Sequence, residues 1–503
     1  MYDLTKRATS MTTAKTTFRS FAIFAAMAAS GAQAASLQEA ANTLGTASVK
    51  SIEFAGSGQW FQFGQAPNPK LPWPRFDVSS YSADINYDAD AARVQIVRKQ
   101  FVEPGRLRPT PVEQKVDAYV SGGRAWNFAP PQGAASGTAP VATTQPAAVE
   151  ERAAEIWATP HGFLKAALAN NAKSQAIGEA VEVSFTLGGK YHYVGTINAR
   201  NEVEQVRTWI DTAVLGDTLV ETRFSDYKAF GGAQFPSHIV RIEGEHPILD
   251  LTIADVKLNP AVEIAVPQNV AEAKSTPPTV AVNKLAEGVY YLTGGTHHSV
   301  AIEQRDHIVL VEAPLNEERS LALIEKLKET IPNKPIKFVV ASHVHFDHSG
   351  GLRTFADAGA TIVAHESDKP YFEKAWAAPR SLHPDLLSKS QKAAKFETYA
   401  EKHELTDGSR KIEIHRIAGS GHSDDLGLIY LPAEKILIEA DAYTPTAANA
   451  PPPASPNPYS VNLYENIQRL KLDVAQIAAL HGPGVVTLAD LQKAIGQKAA
   501  LAQ

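Results

Sequence analysis

The sequence contains no cysteine. That excludes disulfides, thiolate-held structural zinc, iron–sulfur clusters and cysteine nucleophiles, so any transition metal must be held by histidine and carboxylate. Also missing is an apolar run long enough to span a bilayer, which leaves no stable membrane insertion to expect. There is no basic excess either: 48 Lys and Arg stand against 54 Asp and Glu, a formal net charge of -6. Nucleic-acid binders carry a basic surface, and no basic stripe interleaved with aromatics occurs here, so no nucleic-acid partner is expected.

At 503 residues the chain is too long for one ordinary core, and two domains are expected after a targeting segment. Residues 1–34 read as a secretory signal peptide. Lys6, Arg7, Lys15 and Arg19 form its positive region, residues 21–29 (FAIFAAMAA) its apolar region, and Ala32-Gln33-Ala34 its small-x-small cleavage site, with Met11 an alternative start. The location this implies is periplasmic or secreted, where a chain without thiols avoids oxidative miscoupling.

Residues 35–265 read as a mainly antiparallel β domain. Val181, Val183, Phe185 and Leu187 alternate with Glu182, Ser184 and Thr186, the period of a strand with one buried face. Similar alternation occurs at 81–87 and 249–253, and Gly188-Gly189 and Gly231-Gly232 mark turns. One helix is expected over 150–168, and the Ala-, Pro-, Gly- and Thr-rich stretch 129–148 reads as a mobile loop. Residues 266–280, which include VPQNVAEAKSTPPT, read as a linker. From 281 to 503, short apolar strands (289–292, 308–311, 338–341, 361–364) are joined in the later part by helical segments, the pattern of an α/β layered domain. In the helix over 316–331, Asn316 offers the N-cap and Glu317 and Glu318 suit the first turn. Leu321, Ile324, Leu327 and Ile331 line one side.

The strongest signal is Ser342-His343-Val344-His345-Phe346-Asp347-His348-Ser349-Gly350-Gly351, directly after an apolar strand. Only 16 residues of the chain are His, so three within six positions call for a reason. In extended chain, positions i and i+2 point to one side, so His343 and His345 can grip one ion. Asp347 and His348 follow as the chain turns and point elsewhere, which suits a second ion. Imidazole and carboxylate donors suit zinc.

This segment is the H-x-H-x-D-H motif, and on it the C-terminal half resembles the metallo-β-lactamase superfamily. The resemblance implies an αββα sandwich and three further ligands in order. His422 follows Gly421, Asp441 closes the strand 436–440, and His481 follows Leu480. It implies two zinc ions per chain: His343, His345 and His422 on the first, Asp347, His348 and His481 on the second, and Asp441 between. Two such ions sharing a water lower its pKa towards about 7, which gives a bridging hydroxide as nucleophile. Asp347 is the expected catalytic residue, orienting that hydroxide through its free oxygen.

Several residues have weaker claims. His297 and His298 lie on a loop that in this fold approaches the site mouth, and Tyr443 follows Asp441 closely. His365 ends a strand where the family often has a non-ligand His. Glu312 stands where many relatives carry an Asp that supports the ligands, a departure that puts that support in question. The Pro-rich stretch 444–458 reads as a loop beside or over the site, a candidate lid.

The function implied is hydrolysis of a small-molecule ester, thioester, lactone or lactam-type bond, since the fold does not name the substrate. Asp441 makes the site resemble glyoxalase-II-type thioesterases more than true β-lactamases, yet the tail after His481 is too short for their glutathione-binding helices. β-Lactamase activity proper is the alternative. The segment 221–241 (ETRFSDYKAFGGAQFPSHIVR), with ATPHGFLKAAL before it, resembles the periplasmic lipoprotein-carrier (LolA-like) half-barrel. That resemblance implies lipid or lipoprotein contact through the N-terminal domain.

Overall fold

The alternation at 180–187 becomes the strand Ala180–Leu187, in which Val181, Val183 and Phe185 are buried while Thr186 faces solvent. In the computed structural model, which describes residues 35–131, 137–446 and 455–497, it is one of thirteen strands in a single antiparallel sheet. The signal-peptide segment 1–34 lies outside the described residues. Strands Ser51–Phe61 to Val141–Thr144 meander outward in chain order, and Lys173–Ile177 to His246–Leu258 return from the opposite edge. First and last strands meet at the centre, with Ile52 opposite Leu258 and Trp60 opposite Leu249.

Two features differ from the sequence reading. The helix expected over 150–168 is two helices, Val149–Trp157 and Pro160–Ala169. Pro160 has no N–H and pushes Thr159 into extended geometry (φ −78°, ψ 156°), and the Thr159 hydroxyl caps the new helix by accepting from Gly162 N–H. Within 129–148, read as a mobile loop, Val141–Thr144 is the edge strand paired with Arg124–Ala129. Its β-branched Val and Thr residues favour the pleated surface over the coil that Ala and Pro suggest. Residues 132–136 of that stretch lie outside the described part.

The second helix packs on the sheet, where Phe163 lies tilted against Phe185, and Phe185 stacks on Tyr193. His161 sits in the same layer, fully buried, with Nε2 3.0 Å from Leu44 O and its ring over Phe235. Burial pushes its pKa down to about 4. The folded chain therefore holds His161 neutral while an unfolded one protonates it near 6.5. Stability is fully present above about 6.5 and falls as pH drops through the window to about 4, by about 3 kcal/mol. Thermal melts of wild type and His161→Phe across that window measure this directly. The variant is less stable at pH 7, having lost the bond to Leu44 O, and its pH slope is shallower; parallel slopes would contradict the assignment.

The C-terminal region is built of two further sheets. Seven strands from Ala281–Ala286 to Lys395–Tyr399 lie in chain order, and six from Lys402–Thr406 to Val486–Thr487 form the other. Val289, Tyr291, Val300 and Val311 of one share a core with Ile412, Ile414, Ile429 and Ile438 of the other. Helix Glu317–Thr330, capped by the Asn316 side chain, covers the first sheet with Leu323 and Leu327, whereas Leu321, expected on the side of Leu327, is exposed. Helix Pro458–Leu470 covers the second with Leu463 and Ile467. The four layers are helix, sheet, sheet, helix. Three strands, Ile336–Val340, Ile436–Glu439 and Gln476–Ala479, end just before His343, Asp441 and His481 respectively. Among the described residues no helix is long and apolar enough to cross a membrane.

Candidate metal centre

Past Val340 the chain leaves its strand, and Ser342 N–H donates to Glu312 Oε1 at 2.7 Å. His343 and His345 then point to one side, with ring centroids 4.4 Å apart. The short helix Phe346–Ser349 turns Asp347 and His348 away from them. The result is two clusters of donor atoms, each with its members within 4.8 Å of one another: His343, His345, His422 and Asp441; and His297, Asp347, His348 and His481. All seven residues singled out from the sequence are brought together, with His297 added.

Asp441 lies between the clusters. Its Oδ2 is 2.8 Å from His348 Nε2, 3.3 Å from His422 Nε2 and 3.4 Å from His343 Nε2, and its Oδ1 is 3.1 Å from His481 Nε2. The residue holds a left-handed backbone (φ 60°), a strained conformation for a non-glycine. Glu439 fixes that turn: its Oε2 accepts from Ala442 and Tyr443 N–H at 3.1 and 3.0 Å. Burial pushes the Glu439 carboxyl up to about 8.

The donor set fits a pair of cations. His343 Nε2, His345 Nδ1 and His422 Nε2 are buried without a hydrogen-bond partner. The other nitrogens of the first two are engaged from outside, His343 Nδ1 with Ser342 Oγ at 2.8 Å and His345 Nε2 with Ala66 O at 3.0 Å. A carbonyl only accepts, so His345 carries its proton on Nε2 and turns its lone pair inward from Nδ1. On the other side His348 Nε2 and His481 Nε2 face each other at 2.9 Å, a separation that needs a proton or a cation to hold it. Burial, then the neighbouring imidazoles, hold His343 well below the usual histidine range, and burial and His422 hold His345 at about 3. Burial opposes ionisation of Asp347, but the bond from His297 and the charge of His348 outweigh it and keep this carboxyl low. Burial likewise opposes a charge on His348, and Asp441 and Glu312 on its two sides overcome it and raise its pKa.

The support questioned at Glu312 is present. Its Oε2 accepts from His348 Nδ1 at 2.7 Å, so the longer carboxylate reaches the ligand ring while Oε1 holds Ser342. His298 turns from the site, to Gly482 O at 2.9 Å and the Tyr291 ring. Tyr443 packs in the cluster of Leu426, Leu463 and Ile467, and His365 bonds Ser367 Oγ at 2.7 Å outside both donor groups. Of the stretch 444–458 read as a lid, residues 447–454 lie outside the described residues.

One wall of the site comes from the N-terminal sheet, a role the sequence did not signal. After the strand Ser51–Phe61, Gln65 Nε2 donates to Asp347 Oδ1 at 2.7 Å, the oxygen expected to stay free. Ala66 O engages His345, Gly64 O accepts from Phe346 N–H, and Pro67 O accepts from Asp424 N–H. A second segment brings Arg106 to Asp424 at 3.1 Å and Arg108 to Tyr459, whose ring lies 5.6 Å from that of His422. The approach is close enough to require glycine twice. A Cβ on Gly64 (φ 76°) would stand 2.6 Å from the Phe346 ring, and one on Gly421 1.7 Å from Leu107 O.

Residues 292–467 match the family described as the metallo-beta-lactamase superfamily. A curated relative, metallo-beta-lactamase type 2 of Elizabethkingia meningoseptica, is 24% identical over 169 residues, which are 32% of this chain and 61% of the relative. The chain thus spans about three-fifths of that protein's length. Among solved structures, a metallo-beta-lactamase from Pontibacter korlensis is 19% identical, aligned over 44% of this chain and all of its own, with a TM-score of 0.33. The mono-zinc form of the metallo-beta-lactamase FIM-1 from Pseudomonas aeruginosa is 18% identical over 43% of this chain and 93% of its own, with a TM-score of 0.34.

Proposed function

We propose that the metallo-β-lactamase superfamily domain in the C-terminal part of this chain is a zinc-dependent hydrolase of ester, thioester, lactone or lactam-type bonds. The observation that carries this reading is the set of buried imidazole nitrogens without hydrogen-bond partners, gathered around the Asp441 carboxylate. His343, His345 and His422 would hold one zinc ion and Asp347, His348 and His481 a second, with Asp441 shared. When bound, the pair supplies Lewis acidity and a water acidified towards neutral pH.

The chain's own residues prepare that chemistry. Ser342 and Ala66 orient the rings of His343 and His345, and Glu312 orients His348, so little rearrangement is left for the moment of loading. Glu439 holds the turn that presents Asp441 to both groups. The segment from Gly64 to Pro67 closes one side against solvent, and Gln65 fixes the Asp347 carboxylate. Gln65→Ala frees that carboxylate to rotate, and kcat is expected to fall roughly tenfold with zinc content unchanged. Gln65→Glu sets a second carboxylate against Asp347 and costs more. Both are read from kcat at saturating zinc; full activity in Gln65→Glu would remove the positioning role.

The function is tested on zinc-loaded full-length protein with nitrocefin, a lactone, a thioester and bis-p-nitrophenyl phosphate, with His343→Ala as control. Turnover of a carbonyl substrate that is lost in the control and on chelation supports the reading. Inert loaded protein, or turnover that survives in His343→Ala, contradicts it. Preference for nitrocefin over the other carbonyl substrates selects the β-lactamase alternative, to which the name of the Elizabethkingia meningoseptica relative points.

A further inference from the structure

We propose that His297 is an eighth ligand, completing the second ion's site from a loop that the H-x-H-x-D-H motif does not include; this rests on the two-zinc reading above. His297 lies between strands Val289–Thr293 and Ser299–Glu303, and its backbone pairs with His481 in an isolated antiparallel bridge. The next residue extends that pairing, His298 N–H donating to Leu480 O at 3.0 Å. The loop is thereby tied to the turn that carries an expected ligand, and the His297 side chain is 12% exposed.

Three observations separate a ligand from a bystander. The ring lies 4.2 Å from that of His481 and 5.3 Å from that of His348, centroid to centroid. His297 offers a donor atom within 4.8 Å of those offered by Asp347, His348 and His481, and its Nε2 stands 3.1 Å from Asp347 Oδ2. Its Nδ1 is 2.8 Å from Thr296 Oγ1. Nε2–H donates to Asp347 Oδ2 and Nδ1 accepts from the Thr296 hydroxyl. Because a hydroxyl can also accept, Nδ1 would carry the proton with an ion bound and Nε2 would turn its lone pair to that ion, the arrangement that outer partners impose on metal-bound imidazoles. A residue serving only to orient Asp347 needs contact with that carboxylate alone. His297, His348 and His481 instead bring three imidazole donors together beside Asp347, a grouping that a shared cation would hold.

The consequence is an asymmetric pair. Asp347, His348, His481, His297 and the shared Asp441 give the second site five protein ligands, while His343, His345, His422 and Asp441 give the first four. Five protein ligands would leave the second ion less room for a further oxygen than four would leave the first, which places the substrate on the side of the first. The second ion then anchors Asp347, His348 and the 297 loop.

The test is zinc titration of full-length wild type, His297→Ala and His297→Gln against a chromophoric chelator, with cobalt(II) spectra of each. Wild type loading two zinc ions, with one weakened roughly 10²-fold or more in His297→Ala, supports the proposal. In the cobalt form, loss of a ligand lowers the coordination number of one ion and strengthens its visible bands. His297→Gln keeps a donor for Asp347 and a similar volume, so it stays as weak as alanine if His297 is a ligand. Full recovery in His297→Gln assigns His297 as a hydrogen-bond donor and overturns the proposal, as does wild-type affinity with an unchanged spectrum in His297→Ala. Wild type that takes up no zinc overturns both this inference and the function it rests on.

Discussion

Asp441→Ala is expected to remove turnover by roughly 10³-fold or more, the scale of losing several kcal/mol of transition-state stabilisation at a binuclear site. Both donor groups face this one carboxylate, with four imidazole nitrogens within 3.4 Å of its oxygens. Removing it takes a carboxylate that reaches imidazoles of both groups, and one of the two anions that offset charge on His348. Asp441→Asn distinguishes shape from charge, because the amide keeps the volume and the left-handed turn but offers no anion. Its activity should lie close to that of alanine, and its zinc content should fall below two per chain. Near-wild-type kcat in Asp441→Asn would mean that the two groups do not share a ligand.

Glu312→Ala is expected to weaken zinc binding by roughly 10–100-fold, although Glu312 lies outside the ligand set. The side chain is fully buried and makes two bonds, to His348 Nδ1 and Ser342 N–H. Its loss frees the His348 ring to turn and leaves two buried donors without an acceptor, at about 1–3 kcal/mol each. The melting temperature of the metal-free protein should therefore drop together with zinc affinity. Glu312→Asp, the residue that many relatives of the resembled superfamily carry, is expected to keep one bond and fall between wild type and alanine. Competition titration and thermal melts on the three proteins measure both effects. Unchanged affinity in Glu312→Ala would show that His348 is oriented by other groups.

How far the sequence reaches is clearest residue by residue. His343, His345, Asp347 and His348 were legible because their spacing encodes which way each side chain points as a strand becomes a turn. His422, Asp441 and His481 carry no local signal, and only the family resemblance selected them. The C-terminal strands near 289–292, 308–311, 338–341, 361–364 and 436–440 were legible as short apolar runs, and the N-terminal strands near 81–87, 181–187 and 249–253 as alternation. Gln65 was not legible: it meets Asp347 across 282 positions of chain, and nothing within 64–67 marks it as part of a site. Glu439 did leave a trace, a carboxylate inside the apolar run Ile436 to Ala440 that alternation would not place there. The sequence alone places His297 on a loop near the site mouth, because its pairing with His481 exists only once the loop and the last strand are folded. The break at Pro160 was readable from chemistry but was hidden by the continuous apolar pattern on both sides of it.

Anomalous diffraction at the zinc edge, on crystals of the full chain grown with zinc in excess, tests the central claim most directly. Two peaks are predicted, one enclosed by His343, His345 and His422 and the other by Asp347, His348 and His481, with Asp441 reaching both. Density at these side chains with no anomalous peak among them, or a peak held by other residues, would contradict it.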